Sequence, residues 1–265
     1  MKINTNSNVY IITYSVVMVV IVAVLLSLAA IGLKPRQDAN ILNEKKSQIV
    51  KALGYDATVS YDDVVAEAAL LNAEGVAVEN DTQKVFDALQ SVKDTRAEGK
   101  FPIFKAKDGS VVVPLYGAGL WGPIWGYIAL DKDMNTVKGI VLDHQGETPG
   151  LGAEIATDVH QSQYKQDTLI DANNNKYVRV KTIFEGGEFV GITLKKGGAT
   201  KDAEGKVNPH EVDAITGGTK TSDGVSAMIK ECLASYKPYF VAVKAASCAC
   251  CEHKSNELNT ENNGK

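Results

Sequence analysis

No charged residue occurs between positions 9 and 33, where the sequence reads VYIITYSVVMVVIVAVLLSLAAIGL. About 20 helical residues cross a hydrocarbon core about 30 Å thick. This run of 25 residues is therefore long enough to span a bilayer with some tilt. A secretory signal has a shorter apolar region followed by a cleavage site of small residues, and Ser27-Leu28-Ala29 fits such a site poorly. We expect an uncleaved, single-span membrane anchor.

The residues that flank this run bear on its orientation in the membrane. Tyr10 and Tyr14 lie near one end, where interfacial tyrosines are common, and Lys34 and Arg36 close the other end. A count of basic residues alone places the large C-terminal part of the chain in the cytoplasm. The N-terminal tail of eight residues is short, so the count of basic residues is a weak indicator of the orientation.

Beyond the apolar run, the sequence pattern indicates one domain that contains both helices and strands. Apolar residues recur at helical spacing over residues 38–53, and we expect a stalk helix there after a break at Lys34-Pro35. Short β-branched runs between glycine-rich turns predict strands in the middle of the chain. The predicted fold class is α+β: an N-terminal transmembrane helix followed by an extramembrane domain with an antiparallel sheet and flanking helices.

The same patterns assign individual elements and boundaries. Asp108-Gly109 and Gly186-Gly187 are predicted hairpin turns. Further helices are predicted over 61–71, 81–92 and 222–237, and strands over 110–115, 125–130, 137–142, 177–183 and 188–194. The predicted parts of the chain are a short tail (1–8), the membrane helix (9–33), a helical stalk with the N-terminal part of the extramembrane domain (34–100), the main domain (101–243) and a polar tail containing cysteines (244–265).

Composition and motifs exclude several classes of function. The net charge is −4, so the chain lacks the basic balance that nucleic-acid binding favours. The sequence contains no P-loop, dinucleotide-binding, zinc-protease or serine-hydrolase motif. We expect no catalytic residue on this chain, and a stand-alone enzyme is the least favoured interpretation.

Cysteine and histidine give no strong metal-binding pattern, and we expect no metal. Cys232 falls on the apolar face of a predicted helix and is expected to be a core thiol. Cys248, Cys250, Cys251 and His253 form a C-x-C-C-x-H cluster that lacks a second ligand pair at a known spacing. A simple thiol cluster is the favoured interpretation, and binding of a soft metal is the alternative. We expect each of the four histidines to be solvated or hydrogen-bonded: His144, His160, His210 and His253.

The most informative stretch is D-A-I-T-G-G-T-K-T-S at residues 213–222, directly before an amphipathic helix. The first turn of a helix carries unpaired N–H groups and partial positive charge, which suit an anion. Gly217 and Gly218 allow close approach of the backbone, and Lys220 adds a full charge. The alternative interpretation is simple N-capping of the helix by Thr221 or Ser222.

A second glycine-rich stretch, G-E-T-P-G-L-G, occupies residues 146–152. Three glycines and a proline within seven residues predict a defined loop, and the loop follows a predicted strand. Loops in this position often line a binding pocket. By itself, however, the pattern indicates only a turn.

Together, the two stretches resemble the FMN-binding domain of redox-driven ion pumps. In that family the second motif reads approximately S/T-G-A-T-x-T-S, and its threonine carries FMN through a phosphoester bond. The segment LYGAGLWGPIWGY at residues 115–127 is similar to a G-x-G-L-W segment in one branch of that family, the C subunit of the Na⁺-translocating NADH:quinone reductase. Three motifs in the same order, within a resemblance from residue 9 to about residue 240, make it specific.

The resemblance implies roles for individual residues. It places the FMN-bearing hydroxyl on Thr219, with Thr221 as the second choice, and Gly218 stands where the family has alanine. Trp121 is implied as a neighbour of the flavin ring. The full set of implied cofactor-binding residues is Thr219, Thr221, Gly217, Gly218, Lys220, Thr216, Glu147, Thr148, Pro149, Gly150, Leu151, Gly152 and Trp121.

The resemblance also implies a function: an electron-relay subunit of a Na⁺-pumping, membrane-bound NADH:quinone reductase, with covalent FMN. Its implied partners are other subunits of the complex, a flavin transferase and membrane lipid. Its implied location is the bacterial inner membrane with the FMN domain in the periplasm, against the count of flanking charges. The alternatives are the G subunit of an Rnf-type ferredoxin:NAD oxidoreductase, which shares this domain, and a membrane-anchored anion-binding module without a redox role.

Overall fold

The computed structural model of the protein describes residues 7–56 and 58–246. The predicted cluster of Cys248, Cys250, Cys251 and His253 lies outside the described residues. By contacts, the chain divides into two compact units that meet between Lys45 and Lys46. The first unit consists of helix, and the second holds the sheet and the remaining helices.

Helix α1, Asn8–Ala52, contains the whole apolar run. Among the described residues it is the one helix long and apolar enough to cross a membrane, with a mean hydropathy of 3.1 over its most apolar window. The prediction of a break at Lys34-Pro35 is wrong, because Pro35 lies inside the continuous helix. A proline removes one backbone donor and crowds the preceding turn, which kinks many helices without ending them.

The second unit is built on a six-stranded sheet in the order β2-β1-β3-β4-β5-β6. Every neighbouring pair in this sheet is antiparallel. The strands are β1 (Val65–Leu71), β2 (Ala77–Glu79), β3 (Phe101–Ala106), β4 (Val111–Ala118), β5 (Pro123–Leu130) and β6 (Val137–His144). The predicted fold class, an apolar N-terminal helix followed by a domain of antiparallel sheet and flanking helices, is confirmed.

The helix predicted over residues 61–71 is wrong. Helix α2 is a single turn, Tyr61–Val64, and the chain then continues as strand β1. Strand β1 pairs with β3 from Val65 to Leu71, and the side chains at its C-terminal end are buried. The alanines and leucines of this segment favour a helix locally, but pairing with β3 in the tertiary structure decides its conformation.

Three helical segments follow β2, in agreement with the helix predicted over residues 81–92. Helix α3, Thr82–Ala88, is capped by the carboxylate of Asp81, which accepts hydrogen bonds from the N–H groups of Gln83 and Lys84. A 3₁₀ turn, Leu89–Ser91, leads into α4, Val92–Ala97.

Smaller elements complete the second unit. Both predicted hairpin turns are confirmed: Gly109 lies between β3 and β4, and Gly186-Gly187 joins the short strands Phe184–Glu185 and Glu188–Phe189, all three glycines having positive φ. The strand predicted over 177–183 ends early, since the observed strand is Lys176–Arg179. The prediction of one strand over 188–194 is wrong, because the segment is divided between Glu188–Phe189 and Thr193–Lys195, which pair with different partners. The remaining elements are a 3₁₀ turn (Gly152–Ala156), α5 (Asp158–Ser162), β7 (Asp167–Ile170), β8 (Lys176–Arg179), β9 (Phe184–Glu185), β10 (Glu188–Phe189), β11 (Thr193–Lys195), β12 (Glu211–Asp213) and α6 (Thr219–Ser235).

Helix α6 packs its apolar face on the sheet, mainly against β4. The buried residues include Val225, Met228 and Cys232, and the core position predicted for the Cys232 thiol is confirmed. Gly117 on β4 permits this close approach, because a Cβ at Gly117 would lie 2.7 Å from the Cβ of Met228. The packing fixes the N-terminal end of α6 beside the turn between β4 and β5.

Candidate functional site

Helix α6 begins at Thr219, three residues before the predicted start. The turn before it is closed by a hydrogen bond from the N–H of Gly218 to the carbonyl of Ile215, and Gly217 has a φ of +77°. Gly218 occupies the N-cap position, and no side chain of the described residues caps the helix. The alternative that Thr221 or Ser222 caps the helix is therefore wrong.

Because the cap is a glycine, the first turn of α6 keeps open hydrogen-bond donors. In the described part of the chain no acceptor pairs with the N–H groups of Thr219, Lys220 or Thr221, whereas the N–H of Ser222 bonds to the carbonyl of Gly218. The Lys220 side chain at the same end of the helix is exposed. Three unpaired N–H groups, the helix dipole and one cation form a site for an anion such as a phosphate.

The hydroxyl groups around this turn differ in their access to solvent. Thr216 and Thr219 are exposed. Thr221 is 1% exposed, and its hydroxyl donates to the Glu147 carboxylate at 2.6 Å. Ser222 is equally buried, and its Oγ accepts from the N–H of Ile215 at 3.0 Å. Of the two threonines predicted to carry a cofactor, only Thr219 presents its side chain to solvent.

The loop at residues 146–152 packs directly against this turn. A Cβ at Gly217 would lie 2.6 Å from Cδ2 of Leu151, and a Cβ at Gly218 would lie 3.3 Å from Cα of Gly152. The two glycine-rich stretches, more than 60 residues apart in the sequence, thus form one site.

Glu147 joins the loop to its surroundings through a buried carboxylate that is 5% exposed. Besides accepting from the Thr221 hydroxyl, it accepts a hydrogen bond from the N–H of Trp121 at 3.0 Å. Burial acts to raise the pKa of Glu147, but the stabilisation of its charge by Thr221 and by the backbone at Trp121 and Leu120 outweighs burial, so the pKa lies below its ordinary value. Glu147 is therefore a carboxylate anion at neutral pH.

Two further glycines make room for this carboxylate. A Cβ at Gly119 would lie 2.3 Å from Oε1 of Glu147, and a Cβ at Gly152 would lie 2.4 Å from its Oε2. Gly119 also closes the turn between β4 and β5, with its N–H bonded to the carbonyl of Gly122 at 2.8 Å. A side chain at either position would displace the carboxylate.

Above this buried layer lies an exposed apolar surface. Trp121 is 68% exposed, Leu120 52% and Leu151 42%. Thr148, Pro149 and Gly150, in the loop that contains Leu151, are also exposed. Large apolar groups next to an anion site suit a ligand with an aromatic ring and a phosphate. Sequence reasoning missed Gly119 and Leu120, although their position beside Trp121 in the G-L-W segment was a usable signal.

The described histidines differ in whether their ring nitrogens have hydrogen-bond partners. His144 Nδ1 accepts from the N–H of Glu147 at 3.3 Å, and His210 Nδ1 lies 2.8 Å from the carbonyl of Thr182. The expectation for His160 is wrong, because its ring is buried and neither ring nitrogen has a hydrogen-bond partner in the part of the chain that the structure describes. No group of three metal-binding side chains occurs within residues 7–56 and 58–246.

Comparison with known proteins places this site in a family. Residues 119–234, which include the turn, the loop and most of α6, match the FMN-binding domain family. The chain is 31% identical over 226 residues to the C subunit of the Na(+)-translocating NADH-quinone reductase of Vibrio anguillarum, covering 77% of this chain and 81% of that protein. The protein of the same name from Haemophilus ducreyi is 30% identical over 272 residues, covering 93% and 98%.

Two solved structures share the fold. A crystal structure of the C subunit of the Na(+)-translocating NADH-quinone reductase from Parabacteroides distasonis has a TM-score of 0.63 and 36% identity, covering 78% of this chain and 96% of that one. The crystal structure of Shewanella oneidensis NqrC has a TM-score of 0.59 and 27% identity, covering 76% and 99%.

Proposed function

The chain belongs to the NqrC family, the C subunits of the Na⁺-translocating NADH-quinone reductase, and from this premise we propose that it is the FMN-bearing, electron-relay subunit of such a complex. The observation that carries the proposal is the exposed hydroxyl of Thr219 at the open N-terminus of α6. The FMN is attached there covalently, through a phosphoester to the threonine oxygen. A flavin transferase makes this bond.

The residues present fit this cofactor. The unpaired N–H groups of the first turn of α6 and the Lys220 ammonium hold the phosphate. Gly217 and Gly218 have no side chains, so the backbone before the first turn of α6 is accessible to the phosphate. Leu151 and Gly152 pack against these two glycines. The remaining proposed contacts line the ring and its approach: Thr216, Thr148, Pro149, Gly150, Leu151 and Trp121. Glu147, whose carboxylate is buried, supports this site from within the protein.

A tethered flavin supplies electron transfer in one- or two-electron steps, and the protein supplies its position and electrostatic surroundings. Thr219 keeps the cofactor from dissociating between transfers and fixes its distance to neighbouring redox centres. Trp121 and Leu151 offer the ring an apolar contact surface that excludes water from one of its faces. We assign no proton-transfer or nucleophilic role to this chain, so its part in the NADH:quinone reductase is that of a relay.

The apolar helix α1 anchors the protein in the membrane lipid. We place it in the bacterial inner membrane with the FMN domain on the periplasmic side, where the other subunits of the complex contact it. In intact spheroplasts, an impermeant thiol reagent would then label Cys248, Cys250 and Cys251. Protection of these cysteines until lysis would contradict the periplasmic placement.

The decisive experiment is expression of the full chain with and without a co-expressed flavin transferase. We expect a band that fluoresces under ultraviolet light after SDS denaturation only when the transferase is present. Mass spectrometry of the peptide at residues 216–230 should show the added mass of FMN less one water. Flavin that is lost on denaturation would contradict covalent attachment and favour a reversible anion-binding module.

A further inference from the structure

A buried anion lies under the apolar surface formed by Leu120, Trp121 and Leu151. The Glu147 carboxylate is held by two donors from two different segments, namely the Thr221 hydroxyl in α6 and the backbone N–H of Trp121. No cation of the described residues forms an ion pair with it within 4.0 Å. Its charge is therefore balanced mainly by dipoles and hydrogen bonds.

We propose that Glu147 is a positioning residue that holds the turn at residues 119–122 against the start of α6, and that its buried negative charge lowers the reduction potential of the flavin on Thr219. The effect on the reduction potential rests on the proposed function, because it requires a flavin on Thr219. The positioning role concerns only contacts within the protein.

The positioning role follows from which segments the carboxylate joins. Glu147 belongs to the loop after β6, Trp121 to the turn between β4 and β5, and Thr221 to the first turn of α6. Its hydrogen bonds to Trp121 and Thr221 are 3.0 and 2.6 Å long. Hydrogen bonds to a charged group are stronger than those between neutral groups, so this one side chain fixes the relative placement of three segments.

The electrostatic role follows from burial. A charge in a site of low effective dielectric constant acts more strongly on its neighbours than the same charge in water. Reduction adds electrons to the flavin, so a nearby fixed anion opposes it, and removing that anion favours the reduced form. Thr219, the proposed attachment residue, is two positions from Thr221 in the same helical turn.

Glu147→Gln separates the charge from the hydrogen bonds. The amide oxygen of Gln can accept a hydrogen bond from the backbone N–H of Trp121. Its NH₂ group can donate to the Thr221 hydroxyl, so that this hydroxyl becomes the acceptor where it was the donor. The site keeps its shape while losing one negative charge. Glu147→Ala removes the charge and the hydrogen bonds together, and Thr221→Val removes only the bond between loop and helix.

The test uses the full chain co-expressed with a flavin transferase, and reads out covalent flavin by fluorescence in denaturing gels and the midpoint potential by redox titration. For Glu147→Gln we expect wild-type flavin content and a more positive midpoint. At the wild-type midpoint, the ratio of reduced to oxidised flavin should rise on the order of tenfold. Glu67→Gln on β1, where Glu67 pairs with Lys105 at 3.1 Å, is the matched control and should leave the midpoint unchanged.

For the positioning role, Glu147→Ala should lose most of its covalent flavin, and Thr221→Val should lose a smaller part of it. If Glu147→Ala fails to fold, as judged by circular dichroism, Thr221→Val decides this role alone. Flavin content at the wild-type level in that variant would overturn it. A midpoint in Glu147→Gln equal to that of wild type would overturn the electrostatic role.

The failure of this inference is distinguishable from failure of the proposed function. A wild-type protein without covalent flavin would overturn the proposed function and the electrostatic role with it. The positioning role is then decided on the flavin-free protein by its melting temperature. Glu147→Ala should melt well below Glu147→Gln, and equal melting temperatures would overturn the role.

Discussion

The hydroxyl of Thr221 donates a hydrogen bond of 2.6 Å to the carboxylate of Glu147, a residue 74 positions earlier in the chain. From the sequence motif alone, the Thr221 hydroxyl is a possible attachment site for FMN, but in the structure it is already hydrogen-bonded to Glu147. A buried hydroxyl bonded to a buried carboxylate is inaccessible to a modifying enzyme. Thr219, two positions earlier in the chain, is exposed, and it is the residue that we expect to react.

The first prediction concerns the attachment residue. Thr219→Leu should abolish the flavin fluorescence that survives SDS denaturation, because the side chain then has no oxygen to form the phosphoester. Thr219→Ser keeps an oxygen at the same position, so it should retain part of the signal. Fluorescence of denaturing gels, normalised to the amount of protein, measures both.

Thr168→Val is the matched control for this prediction, since Thr168 is an exposed threonine on β7, outside the candidate site. It should keep the full signal. A fluorescent band that persists in Thr219→Leu and disappears only when Thr221 is also replaced would show that the second threonine carries the flavin.

The second prediction compares the two glycines of the turn. Gly217 has a φ of +77°, and a Cβ there would meet Leu151 at 2.6 Å, so Gly217→Ala should destabilise the protein by about 1 kcal/mol or more. Gly218 has a φ of −105°, and its nearest neighbours would lie 3.1 Å from a Cβ. Gly218→Ala should be tolerated, within about 1 kcal/mol of wild type, and should leave flavin attachment intact.

Chemical denaturation of the two variants, followed by circular dichroism, checks this difference. Because alanine occupies the position of Gly218 in the family motif, the covalent flavin content of Gly218→Ala is a second measurement. Equal destabilisation by the two substitutions would contradict the structure of the turn.

The third prediction concerns the space around the Glu147 carboxylate. A Cβ at Gly152 would lie 2.4 Å from both Oε2 of Glu147 and Oγ1 of Thr221, so Gly152→Ala should break their hydrogen bond. The loss should be on the order of 1–3 kcal/mol of stability, because two buried polar groups are separated. Gly146→Ala in the same loop is the control, since its nearest neighbour would lie 3.8 Å away. Melting temperatures distinguish the two, and equal values would contradict the prediction.

Much of the architecture could be predicted from the sequence because its signals are local. The 25-residue uncharged run is an unambiguous helix, the Asp-Gly and Gly-Gly pairs mark hairpins, and the spacing of Val225, Met228 and Cys232 defines the buried face of α6. The two glycine-rich stretches identified the site for the same reason. Glycine at positive φ, as at Gly217, leaves a signature in the sequence itself.

The remainder depends on contacts between distant residues. Residues 65–71 have the composition of a helix and become a strand only because β3 pairs with them. The hydrogen bonds of Glu147 come from Thr221 and Trp121, which are far from it in the sequence, so the loop motif predicts a contact with the flavin and gives no sign of these bonds. A hydrogen bond between residues so far apart leaves no periodic pattern of apolar residues in the sequence.

A group of buried, unpaired polar atoms lies on and after α5. His160 is 3% exposed, and its ring meets that of Tyr164 edge to face with the centroids 5.7 Å apart. Within residues 7–56 and 58–246, neither ring nitrogen of His160 has a hydrogen-bond partner, and the same is true of the buried hydroxyl of Tyr164. Burial lowers the pKa of His160 to about 4, and the Asp213 carboxylate only partly opposes this effect.

The last prediction follows from that pKa, which lies below the value of about 6.5 for an unfolded histidine. Between these two values the unfolded chain binds a proton that the folded protein does not, so the free energy of unfolding falls as the pH drops from 6.5 to 4. The full loss attributable to His160 is about 3 kcal/mol. His160→Leu should remove this dependence, and at pH 7 it should be as stable as wild type or more so, because it replaces an unpaired polar group with an apolar one. Urea unfolding of both proteins at several pH values between about 4 and 7 measures the difference, and parallel curves would contradict a buried, neutral His160.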